Sequence, residues 1–403
     1  MSVSEKAGLI RSSRTTAVVF VTLATFADLV AYSVCVPVLP DFARRLGASP
    51  SEIGLMFASF GATLLAVSVP MGAISDRTER KLPLVLGMLA LAGSTLMFAA
   101  ADSLAWLFAA RMIQGAADGV TWVVGFALIA DCYGPGDRGR VMGYVMAGTS
   151  LGIVVGPSIG GWLYEVGGLA LPFQFVAALA LFCAVGFMLI RPPTRRTRPA
   201  GPSIWSVMRV PPVAVCAALV VIGGSTVAML EPVLPLFFDR HLGFTPAQVG
   251  LLFGMAAVAT TLMPLVYGRM IARWGARRLT LTGVFLTAAW LPAMAAASSF
   301  QTALVLMVVQ WMAIALIITP SLAYMAEVTG FAGGDSYGIG YGIYNTAWGF
   351  GLLGGPALGG WLFDRIGFSS LAISWSLVMI AVTIVVAGVK SPVRLVPHLF
   401  LED

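Results

Sequence analysis

Residues 37–57 read PVLPDFARRLGASPSEIGLMF and residues 232–253 read PVLPLFFDRHLGFTPAQVGLLF, so one stretch occurs twice in this chain of 403 residues. The register persists around it. Pro50 and Pro246, Gly54 and Gly250, and Gly72 and Gly268 are each 196 residues apart. Working outward from each copy, apolar runs broken by charge, Gly or Pro cover 16–39, 51–74, 82–101, 104–130, 138–164, 170–190, 210–237, 246–272, 278–298, 301–326, 336–363 and 369–389. A helix needs about 20 apolar residues to cross a bilayer, and each run supplies roughly that. The pattern predicts an all-α membrane protein with twelve transmembrane helices in two pseudo-symmetric six-helix bundles. Six crossings return the chain to its starting side, so the copies form a parallel repeat, the arrangement that places a binding site between two halves.

Composition agrees. Hydrophobic residues make up 59% and charged residues 10%, far from the roughly 25% charge of a soluble domain, and the mean hydropathy is +0.92. The one polar, Pro-rich, basic interval is RPPTRRTRPAGPSIWSVMR, residues 191–209. It divides the chain into a first bundle (1–191), a cytoplasmic linker (192–209) with a short surface helix around Trp205, and a second bundle with a short tail (210–403). The net charge of +6 sits in clusters between apolar runs, which reads as topology and argues against nucleic acid. With both termini cytoplasmic, 19 of the 24 Lys and Arg fall on the inner side, while Arg44, Arg45, Arg240 and Arg365 fall in outer loops. Cys35, Cys132, Cys183 and Cys216 have no paired spacing, so neither disulfides nor a metal site is expected. No G-x-x-x-x-G-K-[ST] loop occurs, so no nucleotide cofactor is expected.

GAISDRTERK, residues 72–81, closes the second span. Gly72 permits close helix contact, and Asp76, Arg77 and Arg80 can form a charge-assisted latch at the cytoplasmic mouth, joined by Asp131 and Arg138 from ADCYGPGDRGR. GTSLGIVVGPSIGGWLYE, residues 148–165, has a counterpart in GFGLLGGPALGGWLFD, residues 349–364. Gly152, Gly156 and Gly160 allow tight packing, and Pro157 removes a helical hydrogen bond and bends the helix.

Ionisable residues inside the spans are few, and each costs roughly 2.5–3.5 kcal/mol at the bilayer centre. They are Asp28, Arg111, Asp118 and Glu231. A carboxyl group in a water-poor cavity can trade a proton for a cation. Asp118 follows Arg111 by seven residues, about two turns, so it serves either that exchange or simple neutralisation of Arg111. Tyr32 lies one turn beyond Asp28, and with Phe60, Trp122, Tyr341 and Tyr344 it can stack on an organic cation; ordinary packing accounts for any one of them alone.

GAISDRTERK, GIVVGPSIGG and the duplicated twelve-span plan resemble the major facilitator superfamily, specifically its twelve-helix drug:proton antiporters. Segments such as ADLVAYSVCVPVLP, ARMIQG, MLEPVLP and YGIGYGIYNTAWGFGLLGGPALGG look most like the vesicular monoamine and acetylcholine transporters. The resemblance implies that Asp28 and Glu231 match membrane acids of amine recognition or coupling, that Arg111 matches a helix 4 arginine, and that the helix 5 motif goes with export. Phe60 stands where those proteins have a lysine, Asn345 where they have a coupling aspartate, and Met379 where they have another acid. Coupling here therefore falls to Asp28, Asp118 and Glu231. The expected protein is a monomeric, proton-coupled exporter of cationic or amphiphilic amines and drugs in a bacterial plasma membrane. An uptake carrier for a sugar or organic anion is the alternative.

Overall fold

The computed structural model describes residues 3–75, 79–190, 207–331 and 337–389. Among them no strand occurs, and eleven helices are long and apolar enough to cross a membrane. They are α1 (Val3–Arg45), α2 (Pro50–Ser75), α3 (Lys81–Ala99), α4 (Leu104–Cys132), α5 (Pro135–Gly167), α6 (Ala170–Leu189), α7 (Pro211–Leu242), α8 (Pro246–Trp274), α9 (Ala276–Trp290), α10 (Phe300–Phe331) and a last helix, Tyr337–Gly388. That helix breaks at Gly367, whose φ of 72° and ψ of 177° are not helical; residues 337–366 are α11 and 368–388 are α12. Gly168, which ends α5 ahead of α6, has nearly the same conformation, φ 67° and ψ −164°. This backbone region is essentially open to glycine alone, so Gly367 makes the turn that Gly168 makes in the first half. Twelve crossings result.

Helix ends depart from the apolar runs in two places. α1 and α7 continue past the expected ends at 39 and 237, carrying Arg44, Arg45 and Arg240 into their last turns instead of loops. Basic side chains there complement the helix dipole, and the left-handed glycines Gly47 (φ 86°) and Gly243 (φ 65°) make the stops. α9 gives way to a 3-10 turn at Leu291–Ala296, because Pro292 has no N–H for the α-helical ladder.

The duplicated turns are also capped alike. The Ser49 N–H and hydroxyl both donate to Glu52 Oε2 at 2.8 Å, and the Thr245 N–H donates to Gln248 Oε1 at 3.0 Å. These are S/T-x-x-E/Q capping boxes ahead of α2 and α8.

The chain forms two compact units. The first contains Met1–Arg198, Ala228–Val258 and Leu352–Arg365; the second contains Pro199–Val227, Ala259–Gly351 and Ile366–Asp403. Small residues explain why segments of α7, α8 and α11 belong with the first bundle. A Cβ on Gly54 of α2 would lie 2.9 Å from Gly360 Cα of α11, and one on Gly250 of α8 would lie 2.9 Å from the Pro157 carbonyl carbon of α5. Elsewhere in this unit α1 packs on α5, α2 on α4, and α3 on α4 and α6. Gly152, Gly156 and Gly160 form the α5 face against α1, meeting Phe26 and Leu29, Val30 and Ser33, and Val34. Within the second unit, Gly283 meets the Leu316 backbone, Gly351 meets the Gly224 backbone, and Trp375 Nε1 donates to Thr226 Oγ1 at 2.9 Å. The expected linker and the helix around Trp205 lie mostly outside the described residues.

Candidate functional site

Two helices of the first unit bring the membrane acids together. Asp28 of α1 and Asp118 of α4 are 2% and 7% exposed. Trp122, one turn after Asp118, donates its Nε1–H to Asp28 Oδ2 at 2.9 Å. The indole of α4 thus satisfies a buried carboxyl group of α1. One helical turn along α1, Tyr32 donates its hydroxyl to Glu231 Oε2 of α7. Its ring stands 5.0 Å from Phe60.

Arg111 does not neutralise Asp118, and no ion pair joins them among the described residues. Its fully buried guanidinium turns toward α2 and lies 4.3 Å over the Phe57 ring, with Phe60 at 5.5 Å and Tyr32 at 5.6 Å. The reason is local. Gly115 seats α4 directly on the Phe60 backbone, so aromatic rings of α2 occupy the space that a seven-residue spacing leaves open to Asp118. Arg111 Nη1 donates to Gln114 Oε1 at 2.9 Å, while its Nε and Nη2 find no acceptor among the described residues.

At the other end of α2, Arg80 Nε meets Asp131 Oδ2 at 2.9 Å, and Nη1 donates to Ser75 Oγ at 2.7 Å and to the Ser75 carbonyl. This buried link ties the end of α2 to the end of α4. Among the described residues a Cβ on Gly72 would meet nothing within 4 Å; close backbone approaches of α2 occur at Gly54 and Gly61. Asp76 and Arg77 lie outside the described residues, as does the Arg138 side chain.

Tyr341, Tyr344 and Asn345 belong to the second unit. There Tyr344 lies 3.3 Å from both the Ser321 hydroxyl and the Ile318 carbonyl, Tyr341 is hydrogen-bonded to Asn345, and Asn345 is exposed.

The sequence did not point to a charged cluster at the α1–α2 and α7–α8 turns. Arg44 pairs with Asp239 at 2.9 Å, Arg45 pairs with Asp41 at 2.9 Å, and Tyr164 donates its hydroxyl to Asp41 at 2.9 Å. Glu165 at the end of α5 accepts the Ala247 N–H at the start of α8, and Asp364 of α11 accepts the Ser51 hydroxyl at the start of α2. The sequence signal was present: both acids end the matched GGWLYE and GGWLFD segments, opposite the matched capping boxes.

Comparisons with known proteins follow this geometry. The sequence profile of the Major Facilitator Superfamily matches residues 21–237 and 220–400. A probable vesicular acetylcholine transporter-B of Danio rerio is 30% identical over 378 residues, covering 89% of this chain and 76% of that protein. Multidrug resistance protein 1 of Bacillus subtilis is 27% identical over 347 residues, covering 84% and 87%. In three dimensions, a bacterial homolog of the human lysosomal transporter Spinster, in an inward-facing and unoccupied conformation, aligns with a TM-score of 0.74 at 16% identity, covering 93% of this chain and 95% of that one.

Proposed function

Because this chain belongs to the Major Facilitator Superfamily, and so is a multi-pass membrane transporter and not an enzyme, we propose that it exports cationic or amphiphilic amines and drugs in exchange for protons. The observation that carries this reading is the excess of buried acid. Asp28, Asp118 and Glu231 lie in one unit around Tyr32 and Trp122, with Arg111 the one buried base beside them and that base wrapped in Phe57 and Phe60. Burying isolated carboxylates costs several kcal/mol each, so the set calls for positive charge from outside the protein: a proton in one state and a substrate cation in the other. Tyr32 and Trp122 offer aromatic faces for the organic part of such a cation. Two relatives bear names of an acetylcholine transporter and a multidrug resistance protein, which supports the same substrate class.

Alternating access in this reading uses two latches. The Arg80–Asp131 link braces α2 against α4 at the cytoplasmic end, and the α2/α11 and α5/α8 glycine crossings with the Arg44–Asp239 pair close the outer end. The Lys and Arg distribution supports both termini on the cytoplasmic side. A single chain is taken as the working unit.

The test uses proteoliposomes with an imposed pH gradient and a panel of organic cations. Cation movement against its own gradient, lost in both Asp28→Asn and Glu231→Gln, supports antiport. Cation transport indifferent to the gradient and to both substitutions overturns it. Selective transport of an organic anion that collapses in Arg111→Ala favours the uptake reading instead.

A further inference from the structure

We propose that the turn from α8 to α9 is a docking site for an anionic phospholipid of the cytoplasmic leaflet. Arg269, Arg273 and Arg278 hold its headgroup, and an acyl chain lies against Leu262, Leu265 and Val266. The site is separate from the membrane acids and stands whatever solute is transported. The repeat shows what sets this turn apart. At the 196-residue offset, residues 72–81 become 268–277, and the two acids of the first copy, Asp76 and Glu79, become Ala272 and Gly275. Arg273 and Arg277 stand where Arg77 and Lys81 stand, while Arg269 and Arg278 replace Ala73 and Leu82. No Asp or Glu occurs between Asp239 and Glu327. Orientation in the membrane is set by Lys and Arg, and acids contribute little to it. Topology therefore accounts for the arginines of this turn but not for its lack of acids.

Packing fixes which way this charge points. Met263, Tyr267, Met270 and Ile271 form the packed face of α8, against Leu279 of α9 and Ala315 and Leu316 of α10. The Tyr267 hydroxyl donates to the Met312 carbonyl at 3.0 Å and pins that face. Leu262, Leu265, Val266, Arg269 and Arg273 recur every three or four residues on the other side of the helix, and all five are exposed. Arg278 is exposed just beyond the turn that Gly275 makes at φ 82°. Arg277 is committed elsewhere: its Nη2 donates to the Val386 and Val389 carbonyls at the end of α12, as Lys81 donates to the Met188 carbonyl at the end of α6. Arg269, Arg273 and Arg278 form no ion pair among the described residues.

The chemistry of the occupant follows from this face. A helix rises 1.5 Å per residue, so Arg269 and Arg273 lie about 10 and 16 Å along α8 from Leu262. One leaflet of hydrocarbon is about 15 Å deep, so a chain beside Leu262 brings its headgroup level with the two guanidiniums. Trp274, 49% exposed at the end of α8, suits the interfacial band where indoles anchor. A guanidinium matches the oxygens of a phosphate in a bidentate fork, and basic clusters at the cytoplasmic ends of spanning helices hold anionic headgroups. A zwitterionic lipid brings its own cation and leaves the arginines uncompensated. A soluble phosphate has no chain for Leu262, Leu265 and Val266. An anionic phospholipid meets both halves of the surface.

The test places the full-length protein in phosphatidylcholine nanodiscs with a trace of phosphatidylglycerol that carries a photoreactive acyl chain. Crosslinked peptides are then mapped by mass spectrometry. Labelling should concentrate on residues 262–278 and be competed by unlabelled phosphatidylglycerol but not by glycerol phosphate. Each basic residue at an anionic surface strengthens association about fivefold. Labelling should therefore fall about fivefold in each of Arg269→Gln, Arg273→Gln and Arg278→Gln, and about 100-fold in the triple variant. The same three positions changed to Lys keep the charge and should keep most of the labelling. Arg140→Gln, which removes an exposed charge paired with Asp137 at the start of α5, should leave it unchanged. Thermal melting confirms that each variant is folded. Labelling spread evenly over the spans, reproduced by photoreactive phosphatidylcholine, or surviving the triple Gln variant would overturn the site. Competition by glycerol phosphate would reassign it to a soluble phosphate and overturn the lipid as its occupant.

Discussion

Replacing Gly54 by alanine adds a single methyl group where α2 crosses α11. That Cβ would lie 2.9 Å from Gly360 Cα, 3.2 Å from Gly360 N and closer still to the Pro356 carbonyl oxygen, whereas ordinary contact begins at 3.4 Å. All three neighbours are backbone, so no side chain can swing aside; the helices must separate by about half an ångström or more. Overpacking of this kind costs about 1–3 kcal/mol. The cost falls only on the arrangement in which α2 and α11 touch. Gly54→Ala should therefore shift the equilibrium toward separation of this end by roughly 5- to 150-fold. The assay is the rate at which a membrane-impermeant thiol reagent labels a Val249→Cys reporter, a position 2% exposed near the same turns. The four native cysteines are buried and give a low background. Gly72→Ala is the control, since a Cβ there meets nothing within 4 Å. Labelling that does not accelerate in Gly54→Ala, or that accelerates equally in Gly72→Ala, would refute the contact-based reasoning.

Arg80→Ala removes the buried ion pair to Asp131 and should lower stability by about 3–5 kcal/mol, read as a fall in melting temperature; Arg80→Lys should restore only part, because Arg80 meets Asp131 and Ser75 through different nitrogens. Tyr32→Phe removes the hydroxyl bonded to Glu231 and should cost roughly 0.5–1.5 kcal/mol in a thermal or denaturant melt, with little further loss when Glu231→Gln is added. Gly367→Ala places a side chain at φ 72° and ψ 177° and should destabilise by about 1–3 kcal/mol, whereas Gly354→Ala, at a site with open space around it among the described residues, should be neutral or stabilising.

Much of this architecture is legible in the sequence, because hydropathy and the repeat act through local spacing. The 196-residue offset fixes matched helices and matched turns, and the structure repeats it in the capping boxes before α2 and α8. The interruption at Asp364 and Arg365 likewise separates the last two apolar runs, and the structure turns there at Gly367 as it turns at Gly168. The one-turn spacing of Asp28 and Tyr32 places both on the face of α1 where the site lies. What the sequence does not carry is the rotation of one helix against another. Trp122 meets Asp28 across 94 residues of chain, and Arg111 turns toward the α2 aromatics where Gly115 seats α4 on Phe60. Gly72 lies in the most recognisable motif yet contacts nothing closely, while Gly54, in the repeat itself, does.

The most direct measurement records internal pH in proteoliposomes that start with no gradient, using a trapped pH-sensitive dye, as an organic cation from the transported panel is added outside. Proton-for-cation exchange predicts prompt alkalinisation of the lumen as protons leave against entering cation, abolished in Asp28→Asn. Cation entry with no change of internal pH, or a pH change that survives in Asp28→Asn, would contradict it.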